Sequence, residues 1–276
     1  MHSFQVELLH GLGGADRMDR LAELREPTGE DQALLAEMDR ALPARSTSAL
    51  IANLLLRLGN ARPTPDQLAK LTLGDRERLL LAVCSHLLGA QADLAVTCPA
   101  CRALVEVPIR FSDLISARPA RAAIRCSLVA GDGEWSAELT PPTGMDLDRA
   151  MKAGSEAARR LLESGLMALF DARGQAVSRD ALPQECEAEL AEKLLALDPL
   201  AECRIGVECP HCTQHFDTLL DGFALLRTAF GGAEALYGDV YRMARAYHWS
   251  EADILALPLA KRARYLAIAM AAEADT

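Results

Sequence analysis

The tetrapeptides Cys98-Pro99-Ala100-Cys101 and Cys209-Pro210-His211-Cys212 share the pattern C-P-x-C. They begin at positions 98 and 209 of a chain of 276 residues. Four thiols in two C-x-x-C pairs match the ligand set of a tetrahedral zinc site that takes two ligands from each arm. We therefore predict one structural Zn²⁺ ion per chain, with four protein ligands: Cys98, Cys101, Cys209 and Cys212.

Short runs of alternating apolar and polar residues flank both tetrapeptides. This period of two predicts two β-hairpins, at 94–111 and 203–220, each with its C-P-x-C at the turn. A shift of the sequence by 111 positions places Val105 on Phe216. A unit of helix, strand, knuckle, strand and helix is therefore predicted to occur twice.

Other interpretations of the cysteines stay open from the sequence alone. The thiols could carry no metal, or each pair could be redox-active, although thioredoxin-like pairs begin a helix after a strand. His211 or His215 could also supply a ligand. The remaining cysteines have no paired spacing, and we predict that they pack as small hydrophobic side chains: Cys84, Cys126, Cys186 and Cys203.

Composition restricts the class of protein. The chain is 50% hydrophobic but only 4% aromatic, which favours a core of Leu, Ala, Val and Ile, mostly in helices. A net charge of −10 argues against a general nucleic-acid binder. No apolar run is long enough to span a bilayer, and the first residues lack a secretory signal. We expect no membrane partner and a reducing compartment, the bacterial cytoplasm, where thiols stay available to metal.

The sequence contains no recognisable catalytic constellation. It has no G-x-S-x-G, no H-E-x-x-H, no phosphate-binding loop and no dinucleotide fingerprint. Gly11-Leu12-Gly13-Gly14 lacks a following Lys-Ser/Thr and is interpreted as a flexible connector. A closed four-thiolate zinc has no open position for water. We therefore predict that the protein is not an enzyme.

The predicted fold is α+β and mostly α-helical, with the two hairpins forming a zinc-ribbon-like unit embedded in a helical domain. Residues 1–45 are interpreted as a polar N-terminal segment with one or two short helices. Residues 46–222 form the helical domain, which carries both hairpins and an insert at 122–197 that begins with a further β-hairpin. Residues 223–276 are the C-terminal helices.

Helical periodicity places individual helices along the chain. The predicted helices are 46–58, 72–88, 155–170, 182–197 and a long helix 223–247 kinked at Gly231-Gly232, and 172–178 is predicted to be a loop. On the last helix, Lys261, Arg262 and Arg264 are interpreted as a solvated basic face. His10, His86 and His248 have no metal-like neighbour in sequence.

Three further segments carry a resemblance to a known family. They are 72–81 (TLGDRERLLL) before the first C-P-x-C, and 249–258 (WSEADILALP) and 262–266 (RARYL) after the second. This order resembles the T-even-type phage baseplate protein family, also described as baseplate hub assembly chaperones, over about residues 45–270. The resemblance implies a non-enzymatic chaperone or structural component of a contractile phage tail or contractile injection system, with baseplate or hub proteins as partners.

The residue after each C-P-x-C departs from the family pattern. Glycine commonly follows each C-P-x-C there, because the knuckle requires a positive φ. Arg102 and Thr213 stand at these positions. Only the four cysteines carry over from the family, as metal ligands. The alternative interpretations are a zinc-ribbon nucleic-acid-binding or transcription accessory protein, and a hydrolase with an unrecognised site.

Overall fold

The computed structural model describes residues 3–14, 17–38, 43–115, 124–130 and 133–274. Of these described residues 52% are helical and 29% are in strands, so the predicted mixture of α and β structure is confirmed. Among the described residues, no helix is both long enough and apolar enough to cross a membrane.

Strands and helices are interspersed along the described residues. The strands are β1 Ser3–Gly14, β2 Arg17–Arg25, β3 Leu55–Leu58, β4 Gln91–Thr97, β5 Leu104–Arg110, β6 Ile124–Ala130, β7 Gly133–Leu139, β8 Leu166–Phe170, β9 Ala176–Val177, β10 Cys203–Glu208 and β11 His215–Leu220. The helices are α1 Gly29–Glu37, α2 Pro43–Leu54, α3 Pro65–Leu68, α4 Leu73–Leu88, α5 Phe111–Ile115, α6 Gly144–Ala150, α7 Ala157–Ser164, α8 Glu187–Leu197, α9 Gly222–Phe230, α10 Ala233–Tyr247, α11 Glu251–Leu255 and α12 Leu259–Ala274.

The N-terminal residues form an antiparallel sheet in the order β1-β2-β3. Of the one or two short helices predicted in residues 1–45, α1 is present at Gly29–Glu37, whereas residues 17–25 form β2. The prediction of a flexible glycine connector is wrong, because β1 and β2 pair from Ser3↔Arg25 onward. The register shifts between Glu7 and Leu12, and Gly11 takes a φ of 74° inside this irregularity. Leu8 and Leu24 are buried in the main core. Buried residues recur at every second position in both strands, as Val6 and Leu8 do in β1, which is the period of a β-strand.

Two predicted helices end early and continue as strands. Helix α2 ends at Leu54, and residues 55–58 form β3, which pairs with β2 through Ala22↔Leu58. Helix α7 ends at Ser164, and β8 then pairs with β7. The predicted loop 172–178 contains β9. Short apolar runs are compatible with helix and strand alike, and the neighbouring strand decides between them.

Helix α4 is the centre of the main hydrophobic core. Thr72 caps it by accepting a hydrogen bond from the backbone N–H of Asp75. Leu79 and Leu81 are at most 1% exposed. The strands β1 and β3 and the helix α9 contribute buried side chains to the same core. The family-like segment 72–81 therefore begins the helix around which the other elements pack.

The insert has a core of its own. Its sheet has the order β6-β7-β8-β9, and helix α8 buries Leu190 and Leu194 in the same cluster as Leu139 and Leu166. The predicted hairpin in the insert is confirmed by the pairing of β6 with β7. The turn residues 131 and 132 lie outside the described residues.

The C-terminal part differs from the prediction in two ways. The long helix is two helices, since α9 ends before Gly231, which has a φ of 72°. Arg262 belongs to no solvated face, because its side chain is buried and donates a hydrogen bond to the Gln32 side chain. Ser250 caps α11 by accepting from the N–H of Asp253, as its position before the helix predicts.

Candidate metal centre

Each C-P-x-C lies at the turn of an antiparallel hairpin. Strands β4 and β5 end in the pair Thr97↔Leu104, and β10 and β11 end in the pair Glu208↔His215. Each strand pair forms a two-stranded sheet. The alternating residues predict these strands because one side of each hairpin packs and the other faces solvent.

The two turns have matching hydrogen bonds. In the first, the N–H of Cys98 donates to the carbonyl of Ala103 at 2.9 Å, and the N–H of Arg102 donates back to Cys98 at 3.0 Å. In the second, the N–H of Cys209 donates to Gln214 at 3.0 Å, and that of Thr213 donates to Cys209 at 2.8 Å. Residues that correspond under the shift of 111 positions therefore make the same contacts.

The position after each second cysteine has the positive φ expected of a knuckle. The values are 63° for Arg102 and 59° for Thr213. A residue with a Cβ is strained in this region, and a β-branched one more so. The turn therefore forms without glycine, and the chain holds two strained residues beside the thiols. Such strain persists only where the surrounding structure fixes it.

The four thiols converge at one point. The Sγ atoms of Cys98, Cys101, Cys209 and Cys212 all lie within 4.8 Å of one another. Cys98 and Cys212 are 3.7 Å apart, and Cys101 and Cys209 are 3.6 Å apart. Tetrahedral zinc with Zn–S bonds of about 2.3 Å requires sulfurs about 3.8 Å apart, whereas a disulfide requires about 2.05 Å. These residues could therefore hold a metal ion without moving far.

The cluster is closed on its inner side. Cys98 and Cys209 are fully buried, and Val105 and Val207 pack against them in a small separate core. Cys101 is exposed and Cys212 is half-buried. Apolar side chains around metal ligands keep water from competing for the site.

The pKa values of two of the clustered thiols are shifted in opposite directions. Backbone N–H groups of Cys101 and Ala100 donate to the Cys98 sulfur and lower the pKa of this thiol to about 7. The N–H of Gln214 acts in the same direction on Cys212, but burial and the neighbouring thiols raise its pKa to about 12. Four thiolates at one point repel each other. A cation at the centre would reduce this repulsion between thiolates, and its binding would release the protons of the thiols that are still protonated.

The histidines considered as ligands lie elsewhere. His211 and His215 are exposed, and the imidazole of His215 lies 4.0 Å from the carboxylate of Glu208. Among the described residues, the candidate metal cluster contains cysteines alone.

The unpaired cysteines pack as predicted. Cys84, Cys186 and Cys203 are buried, and Cys126 is half-buried. Burial raises the pKa of Cys203 to about 11, so this thiol stays protonated at neutral pH. Inert, apolar surroundings of this kind do not activate a thiol as a nucleophile.

Several buried polar groups could not be predicted from the sequence. His10 lies 3.8 Å from the carboxylate of Asp198, although 188 positions separate them. Glu77 accepts a hydrogen bond from the N–H of Gly222, and burial raises its pKa to about 8. Such long-range pairs have no local pattern that could reveal them.

Comparisons with known proteins give no match of this chain to a family model, a curated protein or a solved structure. The proposal of a function therefore depends on the geometry of the thiols and on the sequence segments around them.

Proposed function

We propose that four cysteines hold one structural Zn²⁺ ion per chain in a zinc-ribbon-like unit: Cys98, Cys101, Cys209 and Cys212. We further propose that the chain is a non-enzymatic assembly chaperone or structural component of the baseplate of a contractile phage tail or contractile injection system. The proposed zinc site rests on the spacing of the four sulfurs. The proposed baseplate role rests on the resemblance of the segments 72–81, 249–258 and 262–266 to the baseplate protein family.

The ligand set favours zinc over other metals. Soft thiolates in a tetrahedral set of four select zinc or an iron–sulfur centre, and hard cations such as Mg²⁺ and Ca²⁺ prefer oxygen ligands. When bound, zinc would offset two of the four thiolate charges and join the two hairpins. With all four positions taken by sulfur, it offers none to a substrate water.

Joining the hairpins also fixes helices. The first hairpin leads directly into α5, where the carbonyl of Ile115 accepts a hydrogen bond from Arg78 of α4. The second leads into α9, where the N–H of Gly222 donates to Glu77 of α4. A metal between the hairpins therefore stabilises two helices against the same central helix.

Helical surfaces are available to partner proteins. Tyr241 on α10 and Ile268 on α12 are 65% and 60% exposed. Single exposed apolar side chains are common on protein surfaces, so these two residues do not by themselves mark a contact site. The family-like segments form the start of α4, the helix α11 and part of α12. The resemblance of these segments supports a role in assembly.

Metal analysis tests the proposed zinc. Purified protein should carry about one zinc per chain, and Cys209→Ser should remove it, because three thiolates bind zinc much more weakly than four. Cys126→Ser is the matched control, since Cys126 lies outside the cluster. Zinc far below one per chain in the wild type, or no loss in Cys209→Ser, would refute the site.

Co-expression tests the proposed assembly role. The tagged protein is expressed together with the products of the genes that neighbour its own, and captured proteins are identified by mass spectrometry. A baseplate or hub protein in near-stoichiometric amount is the expected result. Binding to duplex DNA that weakens steeply with salt, without such a protein, would favour the nucleic-acid alternative.

A further inference from the structure

A groove runs between strand β1 and helix α4. Its volume is about 620 Å³, and residues 4–8 of β1 line one wall. Arg78, Ala82 and Ser85 of α4 lie along the opposite wall, at helical spacing. This volume is in the range of groove and pocket sizes that bind ligands.

The groove follows the backbone edge of the strand. Successive side chains of a strand point to opposite faces, so a pocket on one face touches every second residue. All five consecutive residues 4–8 line this groove. Within the described residues, β1 pairs with β2 alone, so its other edge has no strand beside it.

Further along β1, at residues 9–11, a carboxylate already accepts hydrogen bonds from the backbone N–H groups. The two carboxylate oxygens of Asp75 accept hydrogen bonds from the backbone N–H groups of Leu9, His10 and Gly11, at 2.6, 3.0 and 2.7 Å. Over residues 4–8 the contacts are fewer: the carbonyl of Leu8 accepts a hydrogen bond from the Nε of Arg20 at 2.9 Å, and the ring of Phe4 stacks on His86 of α4. The edge is therefore capped by Asp75 at residues 9–11, and the backbone of residues 5–7 between these contacts is the part that a partner can reach.

Arg78 offers an unused hydrogen-bonding edge at this groove. Its side chain is 4% exposed, and its Nη1 donates to the carbonyl of Ile115. Nε and Nη2 are shielded from solvent and have no acceptor in the described part of the chain. These two nitrogens form one side of the guanidinium fork, which matches the two oxygens of a carboxylate. Leaving them unsatisfied costs free energy that a ligand could recover.

The charge of the groove is opposite to that of the protein. Arg78 and Arg20 line it with a single carboxylate, Glu7, which pairs with Arg20 at 3.3 Å. The whole chain has a net charge of −10. The buried carboxylates of Asp75 and Asp198 also act on Arg78 but do not line the groove, so the excess of positive charge belongs to the lining itself, where it favours an acidic ligand.

We propose that this groove binds an extended peptide segment of a partner protein, which pairs with the open edge of β1 and places a carboxylate side chain on Arg78. Main-chain hydrogen bonds then provide affinity, and the arginine provides specificity. The Arg78 side chain turns toward the groove to reach the carboxylate, since its free nitrogens are covered in the unbound chain. The inference deepens the proposed assembly function and rests on it for the source of the peptide.

Synthetic peptides test the groove independently of any natural partner. The probes are fluorescein-labelled seven-residue peptides of alternating Val and Thr with a central Glu, Gln or Lys, titrated into zinc-loaded protein and followed by fluorescence polarisation. The Glu peptide should bind about tenfold more tightly than the Gln peptide, because it makes charge-assisted hydrogen bonds. Equal affinities, or no binding of any probe, would overturn the proposal.

Variants of both walls identify the site. Arg78→Gln should abolish the preference for Glu over Gln and leave the affinity of the Gln peptide unchanged, and Arg78→Lys should restore part of the preference. Ser85→Trp should block both peptides by filling the groove, with Ser85→Ala as its control. Arg242→Gln, at an exposed ion pair on α10, should change nothing.

The outcomes separate this inference from the proposed function. Unchanged binding in Ser85→Trp would show that the peptides bind elsewhere, and a dimer that the Glu peptide does not dissociate would show that a second copy occupies the edge. Either result overturns the proposal. Zinc content, measured on the same samples, reports on the metal centre alone, so each hypothesis can fail without the other.

Discussion

The two C-P-x-C knuckles share the same backbone geometry but differ in sequence. The N–H of Cys98 and that of Cys209 make equivalent hydrogen bonds at 2.9 and 3.0 Å, and φ at the strained position differs by only a few degrees. Yet the strained residue is Arg102 in one turn and Thr213 in the other. The geometry that brings two sulfurs to one side of a turn is therefore kept while the residues that adopt it vary.

Beyond the knuckles the two regions diverge. The first hairpin leads into α5, a helix of five residues, and the second into α9, a helix of nine residues that buries Phe223 and Leu226 in the main core. Adjacent residues of α4 hold both helices, Arg78 through a donor and Glu77 through an acceptor. The two hairpins are thus equivalent in their turns, and the helices that follow them differ in length and in packing.

Removing one thiol from each hairpin tests their equivalence at the metal. Cys98→Ser and Cys209→Ser should each lower the free energy of unfolding of the zinc-loaded protein by about 5 kcal/mol or more, and by similar amounts, because structural zinc binding contributes about 10 kcal/mol or more. Both cysteines are fully buried at matching positions. Urea titration in the presence of zinc measures the loss.

A chelator should reproduce the effect in the wild type and have little effect on either variant. Cys126→Ser should cost less than about 1 kcal/mol, as expected for a half-buried thiol outside the cluster. A large loss in one hairpin variant and a small loss in the other would disprove the equivalence and the shared ion together.

The sequence alone predicted the hairpins, because their signals are local. Two cysteines at a turn and an alternating strand on each side lie within about twenty residues, and the positive φ of Arg102 and Thr213 also follows from the turn. The convergence of two such turns follows from the ligand number of one zinc ion.

The sheet at the N-terminus could not be predicted in this way. Residues 55–58 are four apolar or basic residues after a helix, and only the pairing of Leu58 with Ala22 makes them a strand. The buried contacts of Asp75 and Glu77 join residues 64 to 145 positions apart. Tertiary packing decides such features, and a local pattern carries no trace of them.

Glu77 provides a test of the link between the second hairpin and α4. Burial raises its folded-state pKa to about 8 from the ordinary 4.5, so the folded chain binds this proton more tightly than the unfolded chain. Its contribution is therefore fully present below about pH 4.5 and is lost as pH rises toward 8. Glu77→Gln, which can still accept from Gly222, should remove this pH dependence, which is on the order of 4–5 kcal/mol for a pKa raised from 4.5 to about 8.

Unfolding free energies of wild type and Glu77→Gln between pH 5 and 9, with zinc held saturating, measure this difference. Glu202→Gln is the control, because Glu202 is exposed and pairs with Arg204 on the surface. The variant should gain stability relative to the wild type as pH rises. A constant difference across the range would show that Glu77 is ionised in the folded protein at all these pH values.

The smallest effect compares the strained positions themselves. Thr213→Gly should stabilise the protein by about 0.5–1 kcal/mol, since relief of about 1–2 kcal/mol of left-handed strain exceeds the entropy that glycine adds to the unfolded chain. Arg102→Gly should gain less, because an unbranched residue is less strained at positive φ than a β-branched one. Thr213 also donates a hydrogen bond to the carbonyl of Cys212 at 2.7 Å, which offsets part of its gain. Melting temperatures of both zinc-loaded variants give the order, and a loss of stability in both would mean that the side chains, rather than the turn, hold the knuckles.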